Sequence, residues 1–180
     1  MKPEKITTYG FLEVCELISG TRTKATDGPY FIYGAGMNAK GTTDKFNCES
    51  DTIRLTRKGT VGAVYFHLEP FWIDGDSFKV EPKEIIDNRY LFHWLLMKRE
   101  EIERCADGNN QPGLSLTRLS KLTIDVPDMA YQLKTAKLLD EMSAGLEFFI
   151  GNITQTKMLQ GKVLSYYNEK IGTALGKKGD

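Results

Sequence analysis

Leu122-Thr123-Ile124-Asp125-Val126-Pro127-Asp128-Met129 is where this sequence changes character. Before it, the text is short apolar runs broken by glycine and turn residues. After it, from Met129 to about Ile171, there is no proline, the glycines are isolated, and apolar residues recur at spacings of three and four. Leu139, Met142, Leu146, Phe149, Ile153, Val163 and Tyr167 fall on one stripe, with Thr156 and Gln160 at the two positions between Ile153 and Val163. That is a heptad seam interrupted by polar residues near its middle. A helix of ~40 residues is ~60 Å long. A lone helix with an apolar seam does not stay solvated, so the pattern predicts a coiled-coil arm that finds a partner, the alternative being a helix folded back on its own domain.

Working back from Pro127, the runs Tyr30-Phe31-Ile32-Tyr33, Thr52-Ile53-Arg54-Leu55, Val61 to Phe66, Phe71-Trp72-Ile73 and Ser77-Phe78-Lys79-Val80 read as strands. They are rich in β-branched and aromatic residues, and Gly-Asp, Asp-Gly and Lys-Gly pairs separate them. Two helices are predicted among them. One covers Thr8 to about Ile18, with Phe11, Val14, Cys15 and Ile18 on one face. The other covers Asn88 to about Cys105, with Tyr90, Leu91, Trp94, Leu95 and Ile102 on its buried stripe; Pro82 and Asp87-Asn88 mark its start. The reading is α+β: a strand-rich globular domain over residues 1–127, a long pairing helix over 128–175, and a frayed tail over 176–180.

Composition bounds the function. The 180 residues are 41% hydrophobic and 11% aromatic, which excludes a wholly disordered chain. No apolar run is long enough to cross a bilayer, and Met1-Lys2-Pro3-Glu4-Lys5 does not open a secretory signal, so a cytoplasmic protein is expected. Cys15, Cys48 and Cys105 share no C-x-x-C spacing and read as free thiols. His67 and His93 lie in no metal-ligand spacing and read as packed or surface residues, so no metal site is expected. Lys plus Arg equals Asp plus Glu, 24 each, which argues against gripping nucleic acid by bulk charge and leaves a locally basic face open.

The order of features through the globular half resembles the target-recognition domain of Type I restriction-modification specificity subunits. Ile18-Ser19-Gly20-Thr21 is similar to that family's early Gly-Gly-Thr-Pro turn, without the proline. Pro29 to Gly36 resembles its strand and glycine turn, and Thr56-Arg57-Lys58-Gly59-Thr60-Val61-Gly62-Ala63-Val64 its Arg-Lys-Gly hairpin. Phe71-Trp72 with Asp76-Ser77-Phe78 resembles the strand that follows. Gln111-Pro112-Gly113-Leu114-Ser115 with Leu122 to Pro127 resembles the closing segment, and Gln132 sits where the family has a glutamine early in its long helix. The usual subunit has two recognition domains, each followed by a helix; this sequence carries one of each and so looks like a half-subunit.

The resemblance implies a non-catalytic reader of double-stranded DNA. Two copies would pair antiparallel through the seam and set their domains on two inverted half-sites, with centres about one helical turn or ~10 base pairs apart. A partner modification subunit would bring S-adenosylmethionine and flip the target adenine, and a motor-nuclease subunit could join. No cofactor is expected on this chain and no membrane partner.

The candidate contacts lie on loops, because sequence readers need exposed donors and acceptors plus cations for phosphates. They are Thr21, Arg22 and Lys24; Asn38, Lys40, Thr42 and Lys45; Arg57 and Lys58 at the Gly59 turn, with Arg54 flanking it; and Asn109, Asn110 and Gln111. Amides suit adenine and arginines suit guanine in the major groove. Tyr33, beside Gly34-Ala35-Gly36, is the aromatic expected to reach DNA, whereas Phe71 and Trp72 are expected in the core.

Three rival readings weigh less. Gly34-Ala35-Gly36 superficially suggests the cofactor turn of an adenine methyltransferase, but Met37-Asn38-Ala39-Lys40 does not open the helix such a turn needs. Glu81-Pro82-Lys83 with Asp74 and Asp76 has a nuclease-like acid-x-lysine spacing, spoiled by the proline. An oligomerisation scaffold without DNA readout would account for the seam alone and leave the amide loops unexplained.

Overall fold

The computed structural model describes residues 3–108 and 111–175. Asn109, Asn110 and the 176–180 tail lie outside the described residues. In chain order the elements are β1 (Ile6–Gly10), α1 (Phe11–Val14), β2 (Cys15–Ser19), β3 (Tyr30–Tyr33), β4 (Gly41–Thr43), β5 (Thr52–Thr56), β6 (Val64–His67), β7 (Trp72–Ile73) and β8 (Ser77–Pro82). There follow α2 (Asn88–Met97), α3 (Arg99–Glu103), β9 (Ala106–Asp107), β10 (Gly113–Leu114), α4 (Leu116–Leu119), β11 (Thr123–Pro127) and α5 (Met129–Leu175). An α+β, strand-rich domain followed by a long C-terminal helix is therefore the observed architecture.

The main sheet is antiparallel in the order β2-β8-β5-β6, and a smaller sheet runs β4-β3-β7, with β3 and β7 parallel. Strand β5 is central and buried along its whole length. Because side chains alternate faces along a strand, Ile53 and Leu55 enter one core and Arg54 points to the other side. The larger core gathers Phe11, Val14, Ile53, Leu55, Phe78, Val80, Leu91, Leu95, Ile102 and Ile124; the smaller is Cys48, Phe71 and Ile73 with Tyr33 against it.

The predicted Thr8–Ile18 helix is instead strand, one helical turn, strand. Phe11 and Val14 are buried as expected, but β1 pairs with β11 and β2 with β8, and Ile18 is left 38% exposed. A short apolar run fits helix or strand equally, and the available sheet edges took it. The Asn88–Cys105 helix forms but is broken at Lys98, whose φ −90° and ψ 10° leave the α region. Its stripe survives the break, with Leu91, Trp94, Leu95 and Ile102 buried. Asp87 caps α2 by accepting from the Tyr90 N–H at 2.8 Å. Pro82 ends β8 rather than preceding a helix directly.

The chain divides into two compact units, the first running to Lys137 and the second starting at Leu138. The first two turns of α5 thus belong to the globular unit, and Gln132 explains why. Its buried amide accepts from the Asp87 N–H at 2.8 Å and donates to the carbonyls of Pro127 (2.8 Å) and Ile85 (3.1 Å). In the second unit the seam is present. Met142, Leu146, Phe149, Ile153 and Val163 are 53–67% exposed, Leu139 is half-buried, and the Tyr167 side chain lies outside the described residues. Phe148, Ile150, Met158 and Leu159 are also exposed, so the apolar surface is wider than the heptad stripe. Among the described residues no helix is long and apolar enough to cross a membrane.

Candidate nucleic-acid interface

The Arg-Lys-Gly hairpin between β5 and β6 is closed by a buried hydroxyl. Thr56 Oγ1 accepts from the Ala63 N–H at 2.9 Å and donates to the Thr60 carbonyl. Gly59 (φ +72°) and Gly62 (φ +79°) take the left-handed turns that L side chains disfavour. Space demands glycine too: a Cβ on Gly59 would sit 2.6 Å from the Ala35 Cβ, and one on Gly62 2.8 Å from Glu103 Cγ.

That close approach at Gly59 joins the hairpin to the Gly34-Ala35-Gly36 turn, and Thr60 Oγ1 donates to the Ala35 carbonyl at 2.9 Å. The Arg57 and Lys58 N–H groups donate to the Asp76 carbonyl at 2.8 and 3.1 Å, and the Leu114 N–H donates to the Arg57 carbonyl at 3.0 Å. The result is a shallow groove of about 340 Å³ lined by Ala35, Lys58, Gly59, Asp76, Gln111 and Pro112. A second depression of about 320 Å³ shares Asp76 and is lined by Arg22, Thr23, Ala25, Ile32, Lys40 and Asp74. The Trp72 indole N–H donates to the carbonyl of Thr21, the residue before Arg22, at 2.7 Å.

Arg22, Lys40, Lys58 and Gln111, predicted from four separate loops, thus line two adjoining depressions. The others are placed differently. Arg57 is half-buried with its guanidinium 5.4 Å from the Phe78 ring centroid. Thr42 is in β4 and donates to the Thr26 carbonyl at 2.9 Å. Lys24, Asn38 and Lys45 are exposed but line neither depression. Tyr33 is not a free aromatic at a turn: it is half-buried, with its ring centroid 4.5 Å from His67 and 5.7 Å from Phe71. The smaller core needed an aromatic on that face of β3 and took it. Phe71 is buried as expected; Trp72 is half-buried.

Electrostatics refine the picture. Lys40 is ion-paired with Asp74 and, at 3.5 Å, with Asp76. The hydrogen bond to Asp74 is the main reason its pKa is raised. It is therefore a neutralised cation, unlike exposed Lys58. Arg54, placed among the candidates because it flanks the hairpin, is fully buried and cannot meet a phosphate. Its Nε donates to His67 Nε2 at 3.0 Å, and His67 stacks on Phe71 at 3.9 Å. Burial, then the charge of Arg54, pushes His67 down to about 4, so it is neutral and its proton is on Nδ1. Burial pushes the Cys15 and Cys48 thiols up to about 12, which leaves them unreactive.

The nuclease reading loses its residues to other partners: Lys79 pairs with Glu81 at 3.0 Å, while Asp74 and Asp76 hold Lys40. The Gly34-Ala35-Gly36 turn opens no helix. Among the described residues no group of three or more His, Cys, Asp or Glu could hold a metal ion. Sequence reasoning did not place Asp74 and Asp76 in the walls of these depressions, nor Arg54 in the interior behind them. The signal for Arg54 was present, a cation set between Ile53 and Leu55 in a strand whose every residue is buried.

Comparison with known proteins agrees with this fold. A type I restriction enzyme specificity subunit of Haemophilus influenzae is 24% identical over 151 residues, 79% of this chain and 38% of that protein. A type I specificity subunit of Mycoplasma pneumoniae is 27% identical over 122 residues, 68% of this chain and 35% of that one. The chain spans under two-fifths of the length of these relatives. Its fold matches the crystal structure of the type I restriction-modification S subunit from M. genitalium with a TM-score of 0.71, at 22% identity, covering 82% of this chain and 43% of that one. The family model described as "Type I restriction modification DNA specificity domain" matches residues 3–155. With that match over most of its length, the chain belongs to the family of Type I restriction-modification DNA specificity domains.

Proposed function

We propose that this chain is the DNA-reading part of a Type I restriction-modification complex, non-catalytic itself, and that its reading surface is the pair of depressions meeting at Asp76. The observation that carries this reading is that four separate loops bring Arg22, Lys40, Lys58 and Gln111 to adjoining walls. Gln111 offers the amide that pairs with adenine, Arg22 the fork that pairs with guanine, and Lys58 a phosphate contact. Asn109 and Asn110 adjoin Gln111 in sequence and extend the amide set.

The exposed seam of α5 supports the second half of the proposal. It pairs with the same seam of a second copy, antiparallel, so that two domains address inverted half-sites around an unread spacer in cytoplasmic DNA. Modification subunits dock on this assembly and supply S-adenosylmethionine and adenine methylation; a restriction subunit adds cleavage. Because the net charge is zero and Lys40 is already paired, the chain alone binds DNA weakly.

Co-purification with the modification subunit, followed by sequencing of methylated adenines in treated DNA, tests both halves. Methylation at a split palindrome is expected. An asymmetric split site would replace self-pairing by pairing with a different domain. No site-specific methylation would leave the seam as the function and make the chain a scaffold.

A further inference from the structure

Arg54 occupies the middle of the most buried strand and is itself fully buried. Its hydrogen bonds all go to neutral groups. Nη1 donates to the carbonyls of Gly34 (2.7 Å) and Gly36 (3.1 Å), and Nε donates to His67. The guanidinium lies 4.1 Å from the Tyr65 ring centroid and 4.8 Å from that of Tyr33. Nη2 is buried with no hydrogen-bond partner. Burial depresses its pKa to about 10, which still leaves it charged at neutral pH.

A cation in this position is a poor way to stabilise a strand, since an apolar side chain of similar volume is often neutral or better. What the guanidinium does achieve is local. With Ser77 Oγ, which donates to the Gly34 carbonyl at 2.8 Å, and Thr60 Oγ1 on Ala35, it occupies every carbonyl of the Gly34-Ala35-Gly36 turn. Ala35 is a wall of the Lys58–Gln111 groove, and the loop leaving Gly36 leads to Lys40 in the neighbouring depression.

We propose that Arg54 is a positioning residue for sequence discrimination: it fixes the Gly34–Gly36 turn, and through it both depressions, without touching DNA. This rests on the DNA-reading function proposed above. A residue that only positions the reading loops alters base preference and leaves the number of phosphate contacts unchanged.

The test uses the full chain in complex with its modification subunit. The probes are the duplex that the unaltered complex enriches from a randomised pool and the same duplex with one enriched base pair changed. Each is titrated over a range of salt concentrations. Arg54→Met is expected to lower affinity for the enriched duplex about tenfold and to shrink the preference over the changed duplex by a similar factor, the size of one base-pair discrimination. The slope of log affinity against log salt should stay the same. Ser77→Ala, which removes a second tether of the same turn, should shift preference the same way by a smaller factor.

A salt slope reduced by about one would mean that the substitution costs a phosphate contact and not base readout, and the proposal would fall. Full preference in folded Arg54→Met would overturn it as well. If Arg54→Met does not fold, full preference in Ser77→Ala decides against it. An unaltered complex that enriches no sequence would remove the DNA-reading function and this inference together, which is distinguishable from failure in the variants alone.

Discussion

The globular unit and the helix beyond Leu138 treat side chains in opposite ways. Up to Lys137, two cores of apolar side chains are buried, and key polar groups are engaged within the fold. Gln132 is used on three backbone groups, Arg54 on two carbonyls and a histidine, and Lys40 on two aspartates. From Glu141 to Val163 every residue is exposed, including Leu146, Phe149 and Ile153. The first unit is stabilised within the chain, so its stability is independent of concentration. The second has its stabilising groups facing outward, so its stability rises with the concentration of a partner. The contrast teaches where to look for each proposed activity: reading in the pinned unit, assembly in the exposed one.

The largest expected effect would break that contrast from the assembly side. Phe149→Asp should abolish self-association, since burying a Phe side chain stabilises by roughly 1.5–3 kcal/mol and a symmetric pair loses two, about 4 kcal/mol together. Sedimentation velocity should show a monomer, with the thermal transition of the globular unit unmoved. A dimer that survives would place the seam's partner elsewhere.

Next is the pin that joins α5 to the globular unit. Gln132→Leu leaves the Asp87 N–H and the carbonyls of Ile85 and Pro127 without their partner, a loss of about 3 kcal/mol at about 1 kcal/mol for each of the three groups, the lower end of such costs. The urea midpoint of the globular unit should fall accordingly, while the association constant of the seam is retained.

Acid distinguishes the two units without mutation. His67 is held well below its ordinary 6.5, at about 4, so the unfolded chain binds the extra proton between those values. Stability from its neutral form is fully present above pH 6.5 and is lost progressively as pH falls towards about 4. The expected loss is up to about 2 kcal/mol after allowance for solvent screening of a half-buried group. His67→Phe should flatten that part of the pH–stability profile. An unchanged profile would show that carboxylates alone set the acid limb.

The smallest effect concerns free against spent charge. Lys58→Ala should lower the salt slope of DNA binding by about one and cost about 1 kcal/mol, uniformly across sequences. Lys98→Ala, which removes a lysine paired with Glu101 outside both depressions, should leave the slope alone. Equal effects would mean that affinity follows total charge and not the proposed surface.

How much was legible follows from the range of each interaction. The switch at Pro127-Asp128, the seam and the strands β3, β5 and β8 announce themselves through periodicity, which one side-chain pattern fixes locally. The hairpin glycines were equally readable, because a positive φ leaves few choices of residue. Thr8 to Ile18 misled because eleven residues with four apolar positions on one helical face satisfy a helix or two sheet edges, and only β8 and β11, far along the chain, decide between them. Tyr33, Lys40 and Arg54 were read as available to DNA, whereas the fold sets them against His67, Asp74 and Gly34, partners that lie outside any local window.

By itself, then, the sequence determined the α+β class, the long seam-bearing helix, the turn chemistry and the set of loops that could read DNA. These depend on backbone geometry and on periods of two, three and four residues. Only the tertiary structure decided which of those loops share walls, which cations remain free, and that a buried arginine in β5 holds the turn between them. Those outcomes depend on pairings across tens of residues, where burial and hydrogen-bond satisfaction, not local pattern, choose the partner.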